Sequence, residues 1–341
     1  MTSPVRTLVV DDSATMRTML CAALDADPGI KVVGSAPEPH AARQLMRELD
    51  PDVVTLDVEM PGMDGLSFLE KIMRLRPTPV VMCSSLTTHA AEVTIEALRL
   101  GAVDFVAKPS GASGDMARAT AELCDKVKAA ARSQVRHSPN AATPAPIESG
   151  GGVFLDDRLI VIGSSTGGVD ALFAILPSLP KDAPPVLVVQ HMPPAFTGSL
   201  ARRLDGVCAV KVMEAYDRAP LERGTVYIAP GGDRHMVLSG KTVRLIDGDR
   251  MSGHRPSVDM LFQSVAPLGR KAVGAILTGM GEDGAAGLLA MRQAGARTFG
   301  QDAQSCVVYG MPRAAAALGA VERELNLSAM PMAIIGACRS K

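Results

Sequence analysis

The chain has 341 residues, 47% of them apolar and 21% charged, which is enough for two domains with real cores. Lys and Arg total 35 against 36 Asp and Glu, and aromatic residues are only 3%, with no Trp. A net charge of −1 gives no electrostatic footing for nucleic acid or an anionic membrane surface, and so few aromatics offer no platform for stacking bases.

In chain order, the first apolar runs are Leu8–Val10, Lys31–Gly34, Val53–Leu56, Val80–Cys83 and Asp104–Val106. Segments with helical spacing lie between them, such as Met16, Met19, Leu20, Ala23 and Leu24. This alternation predicts a (βα)5 unit with a parallel sheet. Residues 131–152 carry three Pro, several Ser, Thr and Asn, and a closing Gly triplet, which is linker composition. Domains are therefore expected over residues 1–125 and 153–341, joined by 126–152. Beyond the linker, runs at Leu159–Ile162, Val186–Val189, Thr225–Ala229 and Val273–Leu277 alternate with helical patterns at Asp170–Leu176 and Ala285–Ala294. A second α/β domain with a doubly wound sheet is predicted. It is flanked by a β-hairpin, in which Met236–Leu238 and Thr242–Leu245 meet across Gly240-Lys241.

None of these runs approaches the ~20 apolar residues of a membrane span. The segment Met1–Arg6 lacks the charged-then-apolar build of a signal peptide. Cys21, Cys83, Cys124, Cys208, Cys306 and Cys338 are scattered and form no CxxC pair. Free thiols and a cytoplasmic protein are expected.

In an open parallel sheet, ligands gather at the carboxyl ends of the strands. The first run ends in Asp11-Asp12, the third in Asp57 and the fourth in Ser84-Ser85, while Lys108 follows the fifth. Three carboxylates brought together repel unless a cation lies among them, and hard oxygen ligands favour Mg²⁺. A carboxylate beside Mg²⁺ can attack a phosphoryl donor, with Lys108 neutralising charge and the Ser84 hydroxyl placed to bond the product. The motifs V-V-D-D-S, L-D-V-E-M-P-G-M-D-G and D-F-V-A-K-P make residues 5–125 resemble the receiver domain of bacterial response regulators. That resemblance implies Asp57 as the phosphoacceptor, with Asp11, Asp12, Asp57 and the Glu59 backbone serving Mg²⁺.

In the second domain, Leu159–Ile162 leads into Gly163-Ser164-Ser165-Thr166-Gly167-Gly168 and then a helical pattern. This is G-x-S-x-G in the strand–turn–helix setting of a nucleophile elbow, with Ser165 as the exposed hydroxyl. Of six His, His40 and His89 lie in the first domain and His137 in the linker. His191 directly follows the run ending at Val189-Gln190, on the sheet edge where Ser165 emerges. His235 and His254 lie at the hairpin entry and in a polar loop. His191 is therefore the expected base. The loop Thr278-Gly279-Met280-Gly281-Glu282-Asp283-Gly284 matches G-x-G-x-x-G. Glu282 and Asp283 would repel a pyrophosphate, however, so a dinucleotide site is rejected. Asp283 better suits the orienting acid, in the order Ser…His…Asp.

With I-G-S-S-T-G-G, Q-H-M-P, H-R-P-S-V-D and L-T-G-M-G-E-D-G-A, residues 153–340 are similar to the chemotaxis protein-glutamate methylesterase family. The resemblance implies hydrolysis of glutamate γ-methyl esters on chemoreceptors, with methanol released, and deamidation of certain glutamines. It implies a chemotaxis histidine kinase as phosphodonor, no cofactor in the esterase domain, and no nucleic-acid or membrane-insertion role. Thr166 and Met280 would orient the base and form the oxyanion hole. The family often has Ala at Ser164, and Asn or Asp at Glu282. The alternative is a receiver-controlled adaptor whose second domain only binds a partner, for which an intact triad has no use. A DNA-binding response regulator lacks its basic helix-turn-helix here.

Overall fold

The computed structural model describes residues 3–60, 63–108, 113–133, 154–155 and 157–340. The chain divides into two compact units. The first begins with β1 (Val5–Val10), α1 (Ala14–Asp25), β2 (Ile30–Ala36), α2 (Pro39–Leu49) and β3 (Val53–Asp57). It continues with α3 (Gly65–Leu75), β4 (Val80–Ser84), α4 (Thr88–Arg99), β5 (Asp104–Ala107) and α5 (Ser113–Ala131). The strands run parallel in the order β2-β1-β3-β4-β5. β3 and β4 are buried along their whole length. Their high Val, Met, Leu and Cys content is therefore a consequence of cover on both faces. Each of the five expected runs falls inside one strand. Helix α5 runs six residues past the expected domain edge at 125, because Val127 and Ala130 are fully buried. The expected linker from residue 134 onward lies outside the described residues.

The second unit contains β6 (Leu159–Ser164), α6 (Gly168–Ile175), β7 (Val186–Gln190), α7 (Pro194–Asp205), β8 (Lys211–Glu214) and β9 (Thr225–Ile228). The hairpin β10 (Arg234–Ser239) and β11 (Thr242–Asp247) follows, and then α8 (Val258–Val265), β12 (Ala272–Ile276) and α9 (Ala285–Gln293). β13 (Arg297–Gln301), α10 (Met311–Ala317), β14 (Arg323–Leu325) and α11 (Met330–Ala337) complete it. Seven parallel strands lie in the order β14-β13-β12-β6-β7-β9-β8. Four were expected. β8 and β14 are sheet edges in which every residue but Val212 is exposed or half-buried. They need no long apolar run, so KVME and REL carried no strand signal. β13, Arg-Thr-Phe-Gly-Gln, alternates too weakly to be singled out.

The chain enters this sheet at its centre with β6, adds β7 beside it, crosses to the edge for β8, fills the gap with β9, and then returns to place β12 on the other side of β6. The carboxyl ends of β6, β7 and β12 are thus neighbours at the point where the winding reverses. That is where an open α/β sheet offers a crevice.

Candidate active site and phosphoacceptor pocket

Ser165 follows β6, His191 follows β7, and Asp283 lies in the loop between β12 and α9. Ladder hydrogen bonds continue past the strand ends and fix their register: His191 N–H donates to Ser164 O and Ser165 N–H to Thr278 O, each at 3.0 Å. Gly167 adopts a left-handed conformation (φ 76°), which turns the chain sharply from strand to helix. Gly279 faces Ser165 so closely that a Cβ there would lie 2.8 Å from the Ser165 Cβ. No side chain fits between the nucleophile turn and the β12 loop. Ser165 is half-buried, whereas Ser164 is fully buried.

Asp283 is 1% exposed and every bond it accepts has a clear origin. Its Oδ2 lies 2.8 Å from His191 Nε2 and accepts from Val258 N–H, also at 2.8 Å. Its Oδ1 accepts from the Ser257 hydroxyl at 2.7 Å and from Asp259 N–H at 3.0 Å. The carboxylate therefore sits on the N-terminus of α8, where backbone amides point outward and the helix dipole favours negative charge. Burial alone would raise the Asp283 pKa. The bond and charge of His191, with those from Asp259 N–H and Ser257, outweigh it and hold the group below the usual carboxylate range. An ionised acceptor on Nε2 places the neutral imidazole's proton there. Nδ1, buried and without a hydrogen-bond partner, is left with its lone pair.

The buried Ser164 hydroxyl donates to Gln190 Oε1 at 2.7 Å, and Gln190 Nε2 donates to Ser165 O at 2.9 Å and to His191 O at 3.1 Å. One amide thus ties together the backbones of Ser165 and His191. Thr166 is buried, and its carbonyl accepts from the Thr278 hydroxyl at 3.0 Å. Met280 is half-buried on the β12 loop, and Glu282 is exposed. Because Ser165 N–H is committed to Thr278 O, an oxyanion hole here must draw on amides other than that of Ser165. His235 is structural: its Nδ1 accepts from Ser257 N–H and its Nε2 meets Asp249 O at 2.8 Å.

Sequence reasoning did not assign roles to Ser257, Asp259, Gln190 or His254. The signal for the first two was present in H-R-P-S-V-D, a Ser before an apolar helical run, which is an N-cap pattern. Ser257 does cap α8, accepting from Met260 N–H. Asp259 is buried and bonds Gly287 N–H at 2.6 Å, tying α8 to α9. Burial and the nearby Asp283 charge raise its pKa, against the pull of Gly287 N–H. His254 stacks on His191, with ring centroids 3.7 Å apart and planes 5° from parallel. No spacing rule reveals that contact.

In the first unit, Asp11, Asp12 and Asp57 converge as expected, with ligand oxygens within 4.8 Å of one another. Asp11 and Asp57 are buried and Asp12 is exposed. Lys108 Nζ lies 2.8 Å from Asp11 Oδ2 and 2.7 Å from Asp57 Oδ2. Burial would lower the Lys108 pKa, but the two carboxylates raise it instead. One ammonium does not balance three carboxylates. The remaining negative charge, carried entirely on oxygen, suits a hard divalent cation. Glu59 N–H donates to Asp57 Oδ1 at 3.2 Å, so its backbone borders this pocket. Ser84 is fully buried and faces α4: its Oγ accepts from the Thr94 hydroxyl at 2.9 Å and lies 3.5 Å from Ala90 O. It must give up these contacts to reach a group on Asp57.

Burial pushes the Asp57 carboxyl up to about 6, against Lys108 and Glu59 N–H and with help from Asp11. A raised folded-state pKa means that the folded protein keeps this proton to higher pH than the unfolded chain does. Stability is therefore lost as pH rises from the ordinary carboxyl range through 6. In metal-free buffer at pH 7.5, Asp57→Asn is expected to stabilise the first unit by roughly 1–2 kcal/mol. The difference should vanish below about pH 4, where Asp57 is protonated in both states. Calorimetry across this range provides the check; a variant less stable than the parent at pH 7.5 would contradict it.

Residues 160–334 match the family model described as CheB methylesterase, and residues 7–119 match that of the response regulator receiver domain. The chain is 57% identical to a protein-glutamate methylesterase/protein-glutamine glutaminase of Caulobacter vibrioides, over 97% of both chains. It is 55% identical to one of Rhizobium johnstonii, over 97% of this chain and 95% of the relative. The crystal structure of the Thermotoga maritima CheB methylesterase catalytic domain superposes with a TM-score of 0.51 at 38% identity, covering 53% of this chain and 99% of that domain. Likeness over nearly the full length, together with a Ser–His–Asp set at the reversal point of the second sheet and an acidic pocket in the first, places this chain in the CheB methylesterase family, the protein-glutamate methylesterases/protein-glutamine glutaminases with a receiver domain.

Proposed function

We propose that Ser165, His191 and Asp283 act as nucleophile, base and orienting acid in hydrolysing glutamate γ-methyl esters on chemoreceptors, with deamidation of receptor glutamines as the second activity. The observation that carries this reading is the state of His191. One ring nitrogen is bonded to a buried, ionised carboxylate, and the other is buried without a hydrogen-bond partner, at the sheet edge that also carries Ser165.

In the reaction, Ser165 Oγ bonds to the ester carbonyl carbon while its proton passes to His191 Nδ1. Asp283, held ionised by His191 and by the start of α8, stabilises the imidazolium. Amides near Thr166 and Met280 take the charge on the carbonyl oxygen. The C–O bond to the methoxy group then breaks, and His191 returns the proton so that methanol leaves. Water adds to the acyl-enzyme by the same route in reverse, His191 taking its proton, and free glutamate and Ser165 are restored. With a glutamine substrate the leaving group is ammonia.

The receiver makes this a phosphorylation-regulated enzyme. Asp57 is the phosphoacceptor, with a chemotaxis histidine kinase as donor in the cytoplasm. Asp11, Asp12, Asp57 and the Glu59 backbone would hold Mg²⁺, which when bound offsets charge on the phosphoryl oxygens; Lys108 does the same from its own side. Ser84 is the switch hydroxyl.

The test is methanol release from methylated receptor, with and without a small phosphoryl donor. Release is expected without donor and should rise with donor plus Mg²⁺. Chelating the metal or replacing Asp57 by Ala should abolish the rise but not the basal rate. A full response by Asp57→Ala would defeat the phosphoacceptor assignment.

A further inference from the structure

His254 lies in the loop between β11 and α8. Its N–H donates to Met251 O at 2.9 Å and its carbonyl accepts from Met251 N–H at 3.1 Å, closing a tight bridge. The next residue, Arg255, donates to Gly248 O at 2.7 Å and to Asp233 Oδ1 at 3.0 Å, pinning the loop to both strands at the open end of the hairpin. Two residues further on, Ser257 caps α8 and donates to Asp283. One anchored segment therefore supports the acid at its far end and lays the His254 ring flat on His191 at its near end.

That contact bears on catalysis because the His191 ring is hydrogen-bonded at only one of its two nitrogens. It is fixed through Cβ and by the Nε2 bond to Asp283, while Nδ1 has no hydrogen-bond partner. A ring held at those two places can still tilt about the line joining them. Tilting would move the Nδ1 lone pair away from the Ser165 hydroxyl without breaking the Asp283 bond. A parallel ring at 3.7 Å is in van der Waals contact across the whole face and resists that tilt.

We propose that His254 is a positioning residue for the base: its stacked ring holds the His191 imidazole in the orientation that gives Nε2 to Asp283 and Nδ1 to Ser165. The inference rests on reading His191 as the base.

The experiment compares His254→Ala and His254→Phe in the full chain. The readouts are steady-state methanol release and the rate at which a fluorophosphonate labels Ser165. Labelling reports activation of the nucleophile without receptor binding. A misaligned base typically costs 10- to 100-fold, so His254→Ala is expected to lower kcat and the labelling rate by about that factor, with KM within about twofold. His254→Phe keeps a flat ring and drops both nitrogens, and should recover to within about threefold of the parent. A parental kcat in His254→Ala overturns the proposal, as does a Phe variant no faster than the Ala variant. If His254→Ala fails to fold, the Phe variant alone decides. Activity persisting in His191→Ala would sink the triad reading itself. An inactive His191→Ala beside a parental His254→Ala removes only this inference.

Discussion

Ser165→Ala protein is expected to release methanol from methylated receptor at least about 10⁴-fold more slowly than the parent, while melting at nearly the same temperature. The residue is half-buried on a turn. Losing one hydroxyl there removes the attacking atom and leaves no sizeable cavity. Fluorophosphonate labelling should vanish with it. The neighbouring Ser164→Ala provides the contrast. Ser164 is buried, and its hydroxyl points at Gln190 Oε1, so its loss leaves that amide oxygen unsatisfied rather than removing a reacting group. A cost of about 1–3 kcal/mol in stability and a fall of no more than about fivefold in kcat are expected. If the two variants exchange phenotypes, the nucleophile is Ser164 and the elbow has been misread.

Replacing His191 by Ala should be about as damaging as losing the serine, because nucleophile and base act as a unit. Asp283→Asn should be milder than His191→Ala, yet still cost on the order of 10³–10⁴-fold in kcat. An amide there cannot stabilise the imidazolium, and its NH₂ competes with the donors that now converge on the carboxylate: Val258 N–H, Asp259 N–H, the Ser257 hydroxyl and His191 Nε2. The first three of those donors belong to the start of α8, so Asp283→Asn should also lower the melting temperature, which Ser165→Ala does not. Steady-state kinetics and melting on the same preparations separate the two effects. Near-parental turnover in His191→Ala would end the triad assignment.

The convergence of the acidic pocket of the receiver was legible in the sequence. Asp11, Asp57 and Lys108 each follow an apolar run, and parallel strands deliver whatever follows them to one sheet edge. The same rule brought Ser165, His191 and Asp283 together, although the order of strands in the sheet was not known. Ser84 shows the limit of that rule: it ends β4 as expected, yet its hydroxyl is turned toward Thr94 on α4. Strand position sets where a residue emerges, whereas packing against the neighbouring helix sets which way its side chain turns.

The sequence by itself determined both α/β cores, the hairpin, and the identity of the charged and nucleophilic groups at the strand ends, because strand periodicity and turn chemistry are local properties. Only the tertiary structure decided what surrounds those groups. β8 and β14 are strands because a sheet edge accepts short polar segments that could not stand alone. Asp283 is kept ionised by His191 and by the start of α8, a helix that begins 25 residues before it in sequence. The His191 ring is faced by His254 from a loop 63 positions away. Such contacts depend on how elements dock, and docking follows from the burial of whole faces rather than from the spacing of any one motif.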